Sequence, residues 1–297
     1  MATKAKTADK PIVEELHFRS DSAFLCLLLN HRTKFIRVID FRAGALPAKR
    51  LFIQSVAKRE NVEKVITLVE KDEVSSWTRV GFVREGTIPG FYKRSDGHLC
   101  GCVIGEKTAS VEVTDDGNKL AERTINAAKK NAKDVPDAIK GIAVHEVEAS
   151  EAETARDQAV KKGLAVNTFD SFGRDAERFY FDCAARRGKP NYLAAEFQDC
   201  FGHSLIEVLR SPATDSEIVA LTEGLRTMCE ELKERGIISA FGLAPSDDVN
   251  LATSYTAAGF RKTGLLAQGI LVADERKDAI LWTQKLANPG AEDDATT

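Results

Sequence analysis

Apolar and polar positions alternate in two blocks that share one grammar. In the N-terminal block, apolar runs at 35–40 (FIRVID) and 65–69 (VITLV) predict strands. Between them, 48–60 (AKRLFIQSVAKRE) places Leu51, Ser55 and Val56 on one helical face, and Asn61 stands where that helix should stop. A second helix is predicted over 72–80, followed by Gly81-Phe82 and another strand. In the C-terminal block a strand at 204–210 (SLIEVLR) leads through a turn into a long helix over 217–235, closed by Gly236. Ile218, Leu221, Leu225, Met228 and Leu232 give that helix a one-sided apolar stripe. A strand at 237–243 and a short helix at 249–258 then lead to Gly259-Phe260. The segment 178–188 (RFYFDCAARRG) is read as an amphipathic helix, its Phe179 and Cys183 packed in the core or walling a substrate pocket.

Three stretches break the pattern and divide the chain. Residues 1–12 and 287–297 are polar, with little to bury, and are expected to be unstructured. Residues 107–139 hold a polar turn and a Lys/Ala/Asn-rich stretch (KLAERTINAAKKNAK). Its apolar stripe, Leu120, Ile125 and Ala128, is thin, which predicts a solvated linker helix. The expected plan is therefore a module over 13–106, a linker over 107–139 and a second module over 140–286. The two modules also share local order. Each runs helix, strand, acidic turn, short helix and Gly-Phe, with an aromatic (Trp77, Tyr255) four residues before the Gly-Phe and a further glycine (Gly86, Gly264) beyond it. A short helix ended by a glycine and followed by an apolar anchor explains that pattern physically.

Composition narrows the partners. With 42 Lys plus Arg against 45 Asp plus Glu, the net charge is −3, and nothing suggests nucleic-acid binding by counterion release. The longest apolar run, 23–30 (AFLCLLLN), is too short to span a bilayer. The opening MATKAKTADKPI lacks the apolar core of a secretory signal, and six scattered cysteines fit reduced thiols, so a cytoplasmic chain is expected.

The element order of the second block, together with Tyr255-Thr-Ala-Ala-Gly259-Phe260, resembles the GCN5-related N-acetyltransferases (GNAT). In the first block, WTRVGFVREGTIPGFYKRSDGHLCG (77–101) is similar to the N-terminal module of β-lysine N-acetyltransferases. The resemblance implies an α/β protein of two GNAT-like modules, each a mixed, mainly antiparallel sheet flanked by helices. It also implies acetyl-CoA as donor and a small amine or amino acid as acceptor. It places a proton-accepting carboxylate at Glu207 on the central strand and a proton-donating tyrosine at Tyr255.

The donor loop departs from that family. There, a basic residue and glycines let backbone N–H groups approach the pyrophosphate at a helix N-terminus. Here Ser211-Pro212-Ala213-Thr214-Asp215-Ser216-Glu217 contains neither, so Ser211, Ser216 and Glu217 mark the place of a degenerate acetyl-CoA loop. Thr214 and Glu217 read as a capping box that satisfies the helix from within. Each carboxylate facing an anionic ligand at ~6 Å costs about 1–3 kcal/mol. In the first module, Gly44 with Arg42, Lys49 and Arg50 could touch a phosphate or form a plain basic turn.

Two functions stay open. One is a binding or regulatory module with a lost or remodelled acetyl-CoA site, partnered by a small amine, another protein or a second copy as a homodimer. The other is an active acetyl-CoA-dependent N-acetyltransferase. Trp77, standing where the second module has Tyr255, cannot donate a proton in that way, so the first module is not expected to be catalytic. Asp96, His98, Cys100 and Cys102 alternate as zinc ligands could, but one strand rarely supplies a whole tetrahedral site; no metal is expected, and buried thiols are the favoured reading. Cys26, Cys183, Cys200 and Cys229 read as small core residues.

Overall fold

A computed structural model describes residues 11–20, 23–39, 44, 46–105, 111–136, 141–186, 188–198 and 201–287. Most of both expected unstructured ends, together with Arg42 and Cys200, lies outside the described residues.

The first half runs β1 (Val13–Ser20), β2 (Ala23–Asn30), β3 (Phe35–Ile39), α1 (Leu46–Arg59), β4 (Lys64–Val69), α2 (Val74–Arg79), β5 (Val83–Ile88) and β6 (Gly97–Val103). Helix α3 (Asp115–Asn131) follows. The second half runs β7 (Ile142–Val147), α4 (Ala149–Lys161), β8 (Glu177–Ala185), β9 (Asn191–Phe197), β10 (His203–Val208), α5 (Asp215–Glu234), β11 (Ser239–Pro245), α6 (Val249–Ala257), β12 (Arg261–Val272) and β13 (Glu275–Lys285). All strands share one 13-stranded sheet, ordered β1-β2-β3-β4-β6-β5-β12-β13-β11-β10-β9-β8-β7. Reading inward from each edge, the halves follow the same order, β1-β2-β3-β4-β6-β5 and β8-β9-β10-β11-β13-β12, with β7 added outside β8. In each half a single parallel pair, β3 with β4 or β10 with β11, sits among antiparallel neighbours. The expected pair of α/β modules is therefore present, merged into one mixed, mainly antiparallel sheet.

The halves meet where β5 pairs with β12, at Gly86 opposite Gly264, the two glycines of the repeated pattern. Neither position admits a side chain. A Cβ on Gly264 would lie 2.5 Å from the Glu85 carbonyl oxygen, and one on Gly86 would lie 2.7 Å from Leu281. A buried ion pair fastens the seam: Lys64 Nζ donates to Glu85 Oε1 at 2.6 Å and to the Ala267 carbonyl at 2.8 Å. The Ala267 N–H returns a bond to Glu85 at 3.0 Å. Burial pushes the Glu85 carboxyl up and the Lys64 ammonium down, each against the opposing pull of the other.

Two elements differ from the sequence reading. Residues 178–188 do not form a helix; most of them belong to strand β8. Phe179, Phe181 and Cys183 join the main core, whereas Tyr180 packs in a separate cluster with Ala152 and Ala159 of α4. Because both faces of this strand are covered, apolar residues fall on adjacent positions and imitate a helical stripe. Helix α3 is not solvated all round. It lies against α6 and buries Ala121, Thr124, Ile125 and Ala128, while Leu120 stays exposed. Alanines carry little hydrophobic signal, yet they let two helix backbones approach closely.

Candidate functional site

The site grows from the parallel strands of the second half. Strands β10 and β11 pair only at His203–Ser239, Ser204–Ala240 and Leu205–Phe241, and then part. In the first half the equivalent pair continues one position further, to Val38–Thr67. Pairing registers connect the halves residue by residue. Leu68 faces Leu99, which faces Gly86, while Leu243 faces Leu281, which faces Gly264. By the same registers Val38 corresponds to Ile206, Ile39 to Glu207 and Thr67 to Gly242.

Those correspondences explain Tyr255. Its ring is fully buried, stacked on Trp282 at 5.8 Å between centroids and edge-on to Phe260 at 5.1 Å. Its hydroxyl reaches the Ile206 carbonyl at 3.5 Å, in space that exists because position 242 is glycine. A Cβ there would lie 2.4 Å from the Tyr255 hydroxyl oxygen. In the first half, Thr67 Oγ1 contacts the equivalent carbonyl, Val38, at 3.4 Å, and Trp77 packs edge-on against Phe82. Burial, then the nearby Glu207 charge, pushes the Tyr255 phenol well above its ordinary range.

Glu207 faces a cavity of about 100 Å³ at the junction of the halves. Burial pushes its carboxyl up to about 8; Arg178 opposes this, while Asp170 and Glu196 reinforce it. Asp170, on the loop before β8, accepts from Asn30 Nδ2 at 3.0 Å and Thr168 Oγ1 at 2.6 Å, with Arg32 at 3.3 Å. Across the cavity stand Asn30, Thr33 and Arg37 from the first half. The structure thus places Glu207 on the cavity and Tyr255 outside its lining, fully buried with its hydroxyl toward the Ile206 carbonyl, and adds a carboxylate and polar groups that sequence reasoning missed. Arg37, a cation inside the apolar run FIRVI, was a visible signal; nothing set the loop around Asp170 apart from an ordinary polar turn.

Around the expected acetyl-CoA loop the chain bonds to itself. Beyond the point where the strands part, the Val208 carbonyl accepts from Asn167 Nδ2 at 3.0 Å, and the Leu209 carbonyl accepts from the Val166 N–H at 2.7 Å. At the mouth of α5, Thr214 Oγ1 accepts from the Glu217 N–H at 3.3 Å. The Glu217 carboxylate accepts from the Ala213 N–H at 2.7 Å, which closes the expected cap one residue earlier than the usual box. Ser216 Oγ lies 3.1 Å from Thr214 Oγ1, and Ser211 is half-exposed in the same loop.

The remaining candidates disperse. Lys49 is buried and the Arg50 guanidinium lies against Gly81. Asp96 accepts from the Gly90 N–H at 3.0 Å, His98 Nδ1 meets Thr87 Oγ1 at 3.2 Å, and Cys100 and Cys102 sit in the core of the first half. Cys26, Cys183 and Cys229 are buried. Among the described residues, Glu15, His17 and Cys26 bring ligand-type atoms within 4.8 Å of one another, but Glu15 is paired there with Arg174 at 3.4 Å. No helix among the described residues is long and apolar enough to cross a membrane.

No family model matches the chain, and no curated protein matches it. Among solved structures, the spermidine N-acetyltransferase of Vibrio cholerae in complex with CoA and spermine is similar at 8% identity and a TM-score of 0.40, covering 50% of this chain and 98% of its own. A ribosomal-protein-S5-alanine acetyltransferase from Vibrio fischeri is similar at 14% identity and a TM-score of 0.39, covering 51% and 97%. The ribosomal-protein-S18-alanine N-acetyltransferase of Escherichia coli is similar at 12% identity and a TM-score of 0.38, covering 50% and 97%. These neighbours are acetyltransferases matched over about half of this chain, whereas the two-module architecture rests on the strand order within the chain itself.

Proposed function

We propose that the chain is a cytoplasmic binding module on an acetyltransferase-like scaffold, with its acetyl-CoA site lost and its amine-binding side kept. One observation carries this reading. The β10 edge and the α5 entrance, where a donor's pantetheine and diphosphate would need free backbone groups, are filled by Asn167, Val166, Thr214 and Glu217. Displacing them costs their hydrogen bonds and faces an anionic ligand with Glu217 and Asp215, without a basic group or glycine in return. The cavity beside Glu207 and Asp170 suits a small ammonium-bearing ligand, an amine or an amino acid.

Glu207, standing on the cavity, favours the second reading, an active N-acetyltransferase of a small amine. A carboxyl raised to about 8 is held protonated near neutrality and can take a proton from an ammonium only in the fraction that ionises as pH rises toward 8. Isothermal titration with acetyl-CoA separates the two. The binding-module reading expects no heat up to about 1 mM, a free energy weaker than roughly −4 kcal/mol. Submillimolar binding, only slightly strengthened by Glu217→Lys, defeats it and leaves the enzyme reading standing.

A further inference from the structure

Among the described residues, Arg37 is a buried cation without a carboxylate of its own. It is 8% exposed, its Nη1 donates to the Phe172 carbonyl at 2.6 Å, and its guanidinium lies 4.1 Å from the Phe172 ring centroid. Its Nε is buried with no hydrogen-bond partner. Glu196, the carboxylate whose field reaches it, is already engaged by Arg178 and by the N–H groups of Phe172 and Gly173. An uncompensated buried charge costs several kcal/mol, so folds rarely keep one without a use for it.

Arg37 borders two cavities, the one beside Glu207 and a larger one of about 320 Å³. The larger cavity occupies in the first half the place that the Glu207 cavity occupies in the second. Ile39 and Leu68 stand there for Glu207 and Leu243. Each cavity is closed by a turn of the other half: Thr33 beside Glu207, and Phe201 here. The chemistry, however, is different. Ile39 replaces the central carboxylate, and the walls are the rings of Phe91, Tyr92 and Phe201. The Tyr92 hydroxyl is spent on the Leu68 carbonyl at 2.8 Å. At the rim, Arg174 pairs with Glu15 at 3.4 Å and with Asp175 at 3.6 Å, and Gln198 completes the edge. Among the described residues Arg37 is thus the one buried charge facing an otherwise aromatic and aliphatic chamber, the arrangement that would hold an anion with an apolar body.

We propose that this second cavity binds a small carboxylate carrying an aromatic body, with Arg37 taking the carboxylate and Phe91, Tyr92 and Phe201 enclosing the ring. This inference uses neither the donor loop nor Glu207, and it stands whether or not acetyl-CoA binds. Calorimetric titration of the full chain with 3-phenylpropionate and with its uncharged amide, 3-phenylpropanamide, tests it. The carboxylate is expected to bind at least tenfold tighter than the amide. Arg37→Met is expected to erase that preference, and Phe201→Ala to weaken the carboxylate severalfold while leaving the preference intact. Equal affinity of the two probes for the parent protein, or binding of neither at 10 mM, overturns the proposal without recourse to any variant. So does a preference that survives Arg37→Met.

Discussion

At the scale of single residues, Glu207 and Gly242 make the sharpest demands. A carboxyl raised to about 8 in the fold, against an ordinary value near 4.5, is protonated in the native state and ionised in the unfolded state across that interval. Stability therefore falls as pH rises from about 4.5 to 8, and the penalty is complete above 8. Glu207→Gln should melt with the parent at pH 4 and be the more stable by about 1–3 kcal/mol at pH 9, read from thermal midpoints. An ammonium ligand of that cavity should bind more tightly as pH climbs through 8, because the carboxylate forms while the amine stays protonated. Gly242→Ala drives a methyl into the Tyr255 hydroxyl and should cost about 1–3 kcal/mol. Tyr255→Phe should change stability little, since the hydroxyl's bond is long, and should relieve part of the Gly242→Ala loss in a double-mutant cycle. If Tyr255→Phe unfolds the protein, the hydroxyl is structural and has no place in proton transfer.

At the scale of elements, legibility followed how directly each residue's surroundings are written in its neighbours. Helix α5 was readable because its five apolar positions are all buried, four of them in the main core, and its cap is local, Thr214 with Glu217. Strand β8 was not, because helices cover it from both sides and alternation disappears. Helix α3 was half readable: its existence follows from composition, but its docking on α6 depends on Ala121 and Ala128, which look neutral in a sequence. Ala128→Glu should therefore lower the melting temperature clearly, whereas Leu120→Glu on the exposed flank should not. The cap at the entrance of α5 was legible from Thr214 and Glu217. The bond from Asn167 to the Val208 carbonyl was not, because it spans 41 residues.

At the scale of the whole molecule, the repeated glycines were visible in the sequence, while their meeting across one hydrogen-bonded pair was not. The ion pair beside that meeting has no copy in the other half. Register places Ser239 where the first half has Lys64, and Thr263 at the β-bulge that matches Glu85; both hydroxyls are buried without partners. Lys64→Met leaves a buried carboxylate unpaired and should cost about 3–5 kcal/mol, and Lys64→Met with Glu85→Leu should recover most of it, measured by denaturant unfolding. The Gly86–Gly264 junction has a further consequence. Two like units usually find each other by collision, at a rate set by how crowded the solution is. Here a covalent tether has already brought them face to face along the edges that would otherwise recruit another copy, so dilution cannot separate them and their unfolding midpoint should not move with protein concentration.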